Sequence, residues 1–293
     1  MQQPEALPRR TLQELRAIHR LDQTVHDIIV EGISDKTIID WFLEASRKQN
    51  FEVYEVSRFE VDPQLVVSYG LQDNNRGRVI AIAYHLAQSF QGNIRVTCIA
   101  DRDFDLVLDI EIRNRLLLLT DYVCMLMYTF NERTLNKFLR LRVRRFSKPA
   151  RRALQDITAM LQSLFAIRLA NHLLELGLQP VDWRRSCGFG DGRPEFDISD
   201  YIARYLNKNR RPAERERFVA KVRECEARGH ADPRFQIRGH DFIAVLIWYV
   251  SQHPGFRAFA RVPEETVEQE LLTCLELQDL AQETLFQQLL TRV

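Results

Sequence analysis

Ile28-Ile29-Val30-Glu31-Gly32-Ile33-Ser34-Asp35 and, 70 residues downstream, Val96-Thr97-Cys98-Ile99-Ala100-Asp101-Arg102-Asp103-Phe104-Asp105 decide how this chain reads. Each is a short apolar run that ends in carboxylates. Runs of roughly four to eight apolar residues bounded by turn chemistry predict buried strands. In an open parallel sheet, ligands bind in the crevice beyond the carboxyl ends of the strands. Both acidic clusters are therefore expected on one rim. Carboxylates converging there repel one another and lose hydration, which is costly unless a cation shares them. Their hard oxygens favour Mg²⁺ or Mn²⁺.

Outward from these runs the pattern alternates strand and helix. His26 to Glu31 reads as a strand, and the helix after it has Ile38, Ile39, Phe42 and Leu43 on its inner face, with Ser34 and Asp35 in the first turn. Phe51 to Val56 is the next strand, residues 58–77 read as loop, and Val79, Ile82, Ala83, Leu86 and Phe90 mark a second helix. Ile94 to Ala100 and Leu116 to Leu119 complete the strands. This predicts an α/β fold, a Rossmannoid parallel sheet with helices on both faces. A leading arm or helix, Leu12 to Leu21, precedes it. Beyond about residue 130 long helical patterns take over, near 150–165, 198–209, 213–228, 241–252 and 264–290, with a turn-rich insert over 187–194. The expected division is a 1–24 arm, a 25–130 α/β domain and a mainly helical 131–293 region.

Composition narrows the function classes. Of 293 residues 45% are apolar and 28% charged, as in a globular protein, and with a net charge of +1 any affinity for polyanions is expected from local patches, not from the whole molecule. No stretch approaches the roughly 18 apolar residues of a membrane span, and the N-terminus lacks the apolar core of a secretory signal. Five cysteines in no paired spacing suit a reducing, cytoplasmic setting better than disulfides or zinc.

Asp101 and Asp103 are two apart, so a strand persisting through both would aim them to one side, and Glu31 would join from a neighbouring strand. Glu31, Asp101, Asp103 and Asp105 are the candidate metal ligands; Asp105 is the weakest, since a cap or solvated loop acid would look the same. Asp35 and Arg102 are candidates for support around them. Asp35 also suits a helix first turn, and Arg102 a salt bridge with a neighbouring acid. A metal held this way can acidify a water and neutralise charge building on a phosphate.

Glu31-Gly32 at one strand end and Asp101-x-Asp103 at another, with βα units between, resemble the Toprim fold of primases, type IA and II topoisomerases and overcoming-lysogenisation-defect nucleases. The resemblance spans His26 to about Tyr128. More closely, the chain is similar to the Toprim-like effector family, AriB of the PARIS systems, that stands beside an ABC-type ATPase in anti-phage defence; the Gly239-His240-Asp241-Phe242 helix start also looks familial. The resemblance implies a metal-dependent nuclease in which Glu31 is a general acid/base or metal ligand and Asp101 and Asp103 hold the metal. It further implies a toxic effector, silenced by an ABC-type ATPase partner and acting as a homodimer. RNA, such as tRNA, is the first expectation for substrate, and DNA stays open. After Thr120-Asp121-Tyr122 related sequences tend to place another glutamate, where this chain has Cys124-Met125-Leu126-Met127-Tyr128. A two-metal arrangement would then require Asp105 or Asp121 as the substitute. The rival expectation is a degenerate Toprim core that binds partners without turnover.

No acidic residue falls between Arg133 and Gln155, while Arg133, Lys137, Arg140, Arg142, Arg144, Arg145, Lys148, Arg151 and Arg152 accumulate. The tract reads equally as a phosphate-binding patch or as a solvated helix face balanced by acids elsewhere.

Overall fold

The strands His26–Val30 and Val96–Ala100, which carry the two apolar runs quoted above, have every residue buried and pair in parallel, so their apolar residues run consecutively rather than alternating with solvent-facing polar ones. The computed structural model describes residues 9–22, 24–90, 92 and 94–293. These form two compact units: one takes the described residues up to Arg102, Glu111–Asp121 and Glu276–Val293, the other Asp103–Ile110 and Tyr122–Leu275.

The first unit runs β1 (Arg10–Thr11), α1 (Leu12–Leu21), β2 (His26–Val30), α2 (Ile33–Ala45), β3 (Phe51–Glu55), β4 (Phe59–Glu60), α3 (Pro63–Ser68), α4 (Asn75–Ser89), β5 (Val96–Ala100) and β6 (Leu117–Leu119). The main sheet has four strands, all parallel, in the order β3-β2-β5-β6. This is the expected α/β architecture. The chain adds β3 on one side of β2 and β5 on the other, so strand order reverses between β2 and β5, where open α/β sheets bind ligands.

Alternation along the strands divides the core. Ile29, Cys98 and Ala100 face Leu15 of α1 and Val79, Ile80, Ala83 and Leu86 of α4, together with Val56 and Phe59. Ile28, Val30 and Ile99 are left for the opposite face. The buried stripe of α2 is Ile38, Ile39, Phe42 and Leu43 as expected, and the Phe42 ring lies 4.6 Å from Phe286 near the C-terminus. α1 begins on a reciprocal cap between Thr11 and Glu14.

Two expectations are corrected here. Residues 58–77 are not simply loop: Asp62 caps α3 with Pro63 at its first position, and Asn74 caps α4. The pattern over 264–290 is not one helix but three, α10 (Glu264–Leu272), α11 (Leu277–Leu280) and α12 (Thr284–Arg292). The break falls where the chain passes from the second unit back to the first, so Leu271 is buried in one and Leu285, Phe286 and Leu289 in the other.

The second unit contains α5 (Glu132–Phe138), a π-helical turn (Leu139–Val143), α6 (Ala150–Leu173), β7 (Cys187–Gly190), β8 (Arg193–Phe196), α7 (Ile198–Lys208), α8 (Arg215–Ala227), α9 (Gly239–Gln252) and α10. It is mostly helical, as expected. The turn-rich insert is an antiparallel hairpin, with Asp191 and Gly192 both at positive φ (50° and 72°), the turn that matches strand twist. Among the described residues no helix is long and apolar enough to cross a membrane.

Candidate active site

Strand register brings the first two acids together. Ile29 of β2 sits opposite Cys98 of β5, so Glu31, one residue past the end of β2, lies level with the end of β5. Its Oε1 accepts a 2.7 Å hydrogen bond from the Asp101 backbone N–H. Glu31 and Asp101 are both partly buried at the switch point of the sheet. An amide donor shared in this way fixes the Glu31 side chain over the neighbouring strand end.

The first turn of α4 holds the same two residues from a second side. Asn75 Nδ2 donates to the Glu31 carbonyl at 3.0 Å and Arg76 Nε to the Asp101 carbonyl at 2.7 Å. Arg78, two residues on, is instead bonded to Asp73 at 2.6 Å and 3.2 Å, which holds the Asp73 carboxyl below its usual range. Gly77 lets this helix start close: a Cβ there would meet the Gln72 carbonyl oxygen at 1.9 Å, a separation no side chain tolerates. Sequence reasoning missed Asn75 and Arg76 because it took the segment as loop; Asn74 as cap with Gly77 three residues on was the available signal.

Other expectations change. The strand does not persist through Asp103. It ends at Ala100, and Asp103 adopts a left-handed conformation with φ 49°, its N–H donating to the Val123 carbonyl at 2.9 Å. The argument that spacing alone aims Asp101 and Asp103 to one side therefore fails. Asp103 and Asp105 belong to the second unit, where Asp105 is buried rather than a solvated loop acid. Asp35 accepts from the Gly32 N–H at 3.0 Å, the helix-start role. Arg102 pairs with no acid among the described residues; its Nε donates to the Thr120 carbonyl at 2.6 Å, tying the ends of β5 and β6. Asp121 accepts from the Leu285 N–H at 3.0 Å in the first turn of α12.

No group of three or more His, Cys, Asp or Glu side chains among the described residues is disposed to hold a metal ion. Glu31 and Asp101 nevertheless suit Mg²⁺, which is commonly bound through one or two carboxylates and completes its shell with water and substrate phosphate.

The arginine tract divides. Lys148 bonds Asp156 at 2.7 Å, Arg152 reaches Asp156 at 3.0 Å and Arg142 pairs with Glu270 at 2.5 Å. Arg140, Arg144, Arg145 and Arg151 are exposed and, among the described residues, make no ion pair. Arg144 and Arg145 sit in consecutive left-handed conformations (φ 57° and 48°) that end the π-helical turn. Gly239-His240-Asp241 opens α9, but Asp241 is more than a favourable first-turn charge. Buried, it receives two bonds from Arg168 at 2.8 Å and 2.6 Å.

No family model matches the chain, and no curated protein matches it.

Proposed function

We propose that this chain is a divalent-metal-dependent phosphodiesterase of Toprim type, a nuclease that acts as the toxic effector of an anti-phage system and cleaves RNA, tRNA being the first substrate to test. The observation that carries the reading is the 2.7 Å bond from the Asp101 amide to Glu31, which fixes one carboxylate against the neighbouring strand end at the switch point of a parallel sheet. Glu31 and Asp101 would hold Mg²⁺ or Mn²⁺; the Toprim resemblance assigns a metal-binding role to Asp103 as well. The ion would supply Lewis acidity and offset charge on the scissile phosphate. Glu31 takes the proton of the attacking group, and Arg76 lends positive charge beside Asp101. The exposed arginines Arg140, Arg144, Arg145 and Arg151 bind substrate phosphates. An ABC-type ATPase partner keeps the effector silent, and the active form is a homodimer.

A second reading, a Toprim core that binds partners without turnover, is favoured by one observation: the described acids form no group of three around a common point. End-labelled tRNA and plasmid DNA, incubated with wild type and Glu31→Ala in Mn²⁺, Mg²⁺ or EDTA, separate the two. Metal-dependent cutting lost in the variant supports the nuclease and names its substrate class. Folded wild type that cuts neither substrate, alone or after release from its partner, overturns it.

A further inference from the structure

The opposite edge of the same sheet holds a cavity of about 320 Å³ lined by His26, Arg95, Arg115, Arg292 and the apolar Ile94 and Leu116. Register explains the gathering. His26 opens β2 and Arg95 precedes β5, whose pairing begins at Asp27 with Val96; Arg115 lies two residues before β6; Arg292 ends α12. We propose that His26, Arg95, Arg115 and Arg292 form a binding site for the phosphate group of a small molecule.

Several donors lining this cavity are unmatched among the described residues. Among the described residues no carboxylate forms an ion pair with Arg95, Arg115 or Arg292. Asp27, next to His26 in the chain, is buried and bonded to His19 Nε2 at 3.0 Å, so it is already partnered. Some guanidinium donors meet backbone carbonyls: Arg115 donates to Gly92 at 2.7 Å, to Ala87 at 3.4 Å and to Phe90, and Arg292 Nη2 to Leu117 at 3.3 Å. Among the described residues, the buried Arg95 Nε and Arg292 Nη1 meet no acceptor and the buried His26 Nδ1 has no hydrogen-bond partner. His26 is only 4% exposed, and its Nε2 is taken by Thr97 Oγ1 at 2.9 Å. Burying guanidinium donors unpaired is costly, and native structures resolve such groups with a partner.

An oxyanion is the partner that matches this set. Guanidinium groups bind phosphate through paired, charge-assisted N–H donors, and here several converge on one concavity. The volume lies at the low end of small-molecule pockets, sized for one phosphorylated ligand rather than a duplex. The electrostatics agree with the geometry: burial pushes the Arg292 guanidinium down from its usual value, and burial followed by the Arg95 charge pushes His26 down to about 4. A bound anion would relieve both. The cavity is separated from Glu31 and Asp101 by the length of the strands, about 16 Å, so the site does not depend on the nuclease reading.

Isothermal titration of the full chain with inorganic phosphate, and separately with ATP, at matched ionic strength in chloride tests the proposal. One saturable site is expected, weakened about tenfold or more in Arg292→Gln and in Arg95→Gln. Tighter binding of ATP than of phosphate identifies a nucleotide as the source; equal binding identifies free phosphate. Arg292→Lys, which keeps the charge, is expected to bind at intermediate strength, and near-UV circular dichroism confirms that each variant is folded. Because the readout is binding, its failure is distinct from any failure of nuclease activity. Absence of a saturable site in wild type, or affinity unchanged in the folded glutamine variants, overturns the proposal.

Discussion

At one edge of the four-stranded sheet, Glu31 is met by an amide donor and a guanidinium bonds the Asp101 carbonyl; at the other, Arg95 and Arg292 leave buried nitrogens with no acceptor among the described residues. The helix α4 connects the two situations. Its N-terminal turn faces the acidic rim and supplies Asn75 and Arg76, while the carbonyls of Ala87, in its last turn, and of Phe90, just past its end, accept from Arg115 at the opposite edge. A helix dipole favours negative charge at the first end and positive charge at the second, so acids above and arginines below are the stable arrangement. The difference lies in what remains after that. Carbonyl contacts account for part of the arginine donors, and the buried remainder is what calls for a ligand.

Four measurements test this contrast. The largest effect is expected at the rim. Glu31→Gln keeps an oxygen that accepts from the Asp101 amide but removes the carboxylate, so cleavage should fall by about 10²–10⁴-fold while the urea midpoint stays put. Cleavage that survives in the folded variant would make the rim a structural device only.

Arg168, partly buried with its side chain 29% exposed, is the internal control for an arginine that has its partner. Burial alone would push its guanidinium down, but the bonding to Asp241 more than restores it, leaving it above its usual value. Asp241→Ala turns Arg168 into an unpartnered cation and should cost about 3–5 kcal/mol in urea unfolding. A much smaller loss would mean that this fold tolerates unpaired buried arginines, which would weaken the case made from Arg95 and Arg292.

His26 gives the basic edge a pH signature. Its folded value of about 4 lies below the ordinary 6.5, so the unfolded chain takes up the proton first. The stabilisation from keeping His26 neutral is full above pH 6.5 and is lost as pH falls toward 4, up to about 3 kcal/mol. Asp27, His19, Arg95 and Arg292 surround it in wild type and in His26→Gln alike. Urea unfolding at pH 7 and pH 4 should therefore show a steeper acid loss in wild type than in the variant; parallel losses would remove His26 from the account.

The acidic rim was legible in the sequence because each carboxylate follows a contiguous apolar run, and strand-end chemistry is local. Leu12 to Leu21 and the α2 stripe were legible from helical spacing, which is also local. Asp103 was not, since its left-handed turn depends on a bond to Val123, 20 residues away. Nor was the basic edge: Arg95, Arg115 and Arg292 are scattered over 198 positions and only register brings them together. The tract 133–155, which read equally as a phosphate patch or as a face balanced by acids elsewhere, divides between the two. It is dense in sequence, yet Asp156 and Glu270 balance Arg142, Lys148 and Arg152.

That tract yields the smallest expected effect and a third case of arginine. Arg142 and Glu270 are each about a third exposed, with side-chain accessibilities of 39% and 31%, so solvent screens the pair despite its 2.5 Å separation. Arg142→Gln should change stability by no more than about 1 kcal/mol, and less at high salt. Removing Asp241 should not behave this way, because that carboxylate is buried, with a side-chain accessibility of 8%, and less water can take its place beside Arg168. If Arg142→Gln instead cost as much as Asp241→Ala, exposure would not be what separates these arginines, and the contrast between the two edges would have to be sought in packing rather than in solvation.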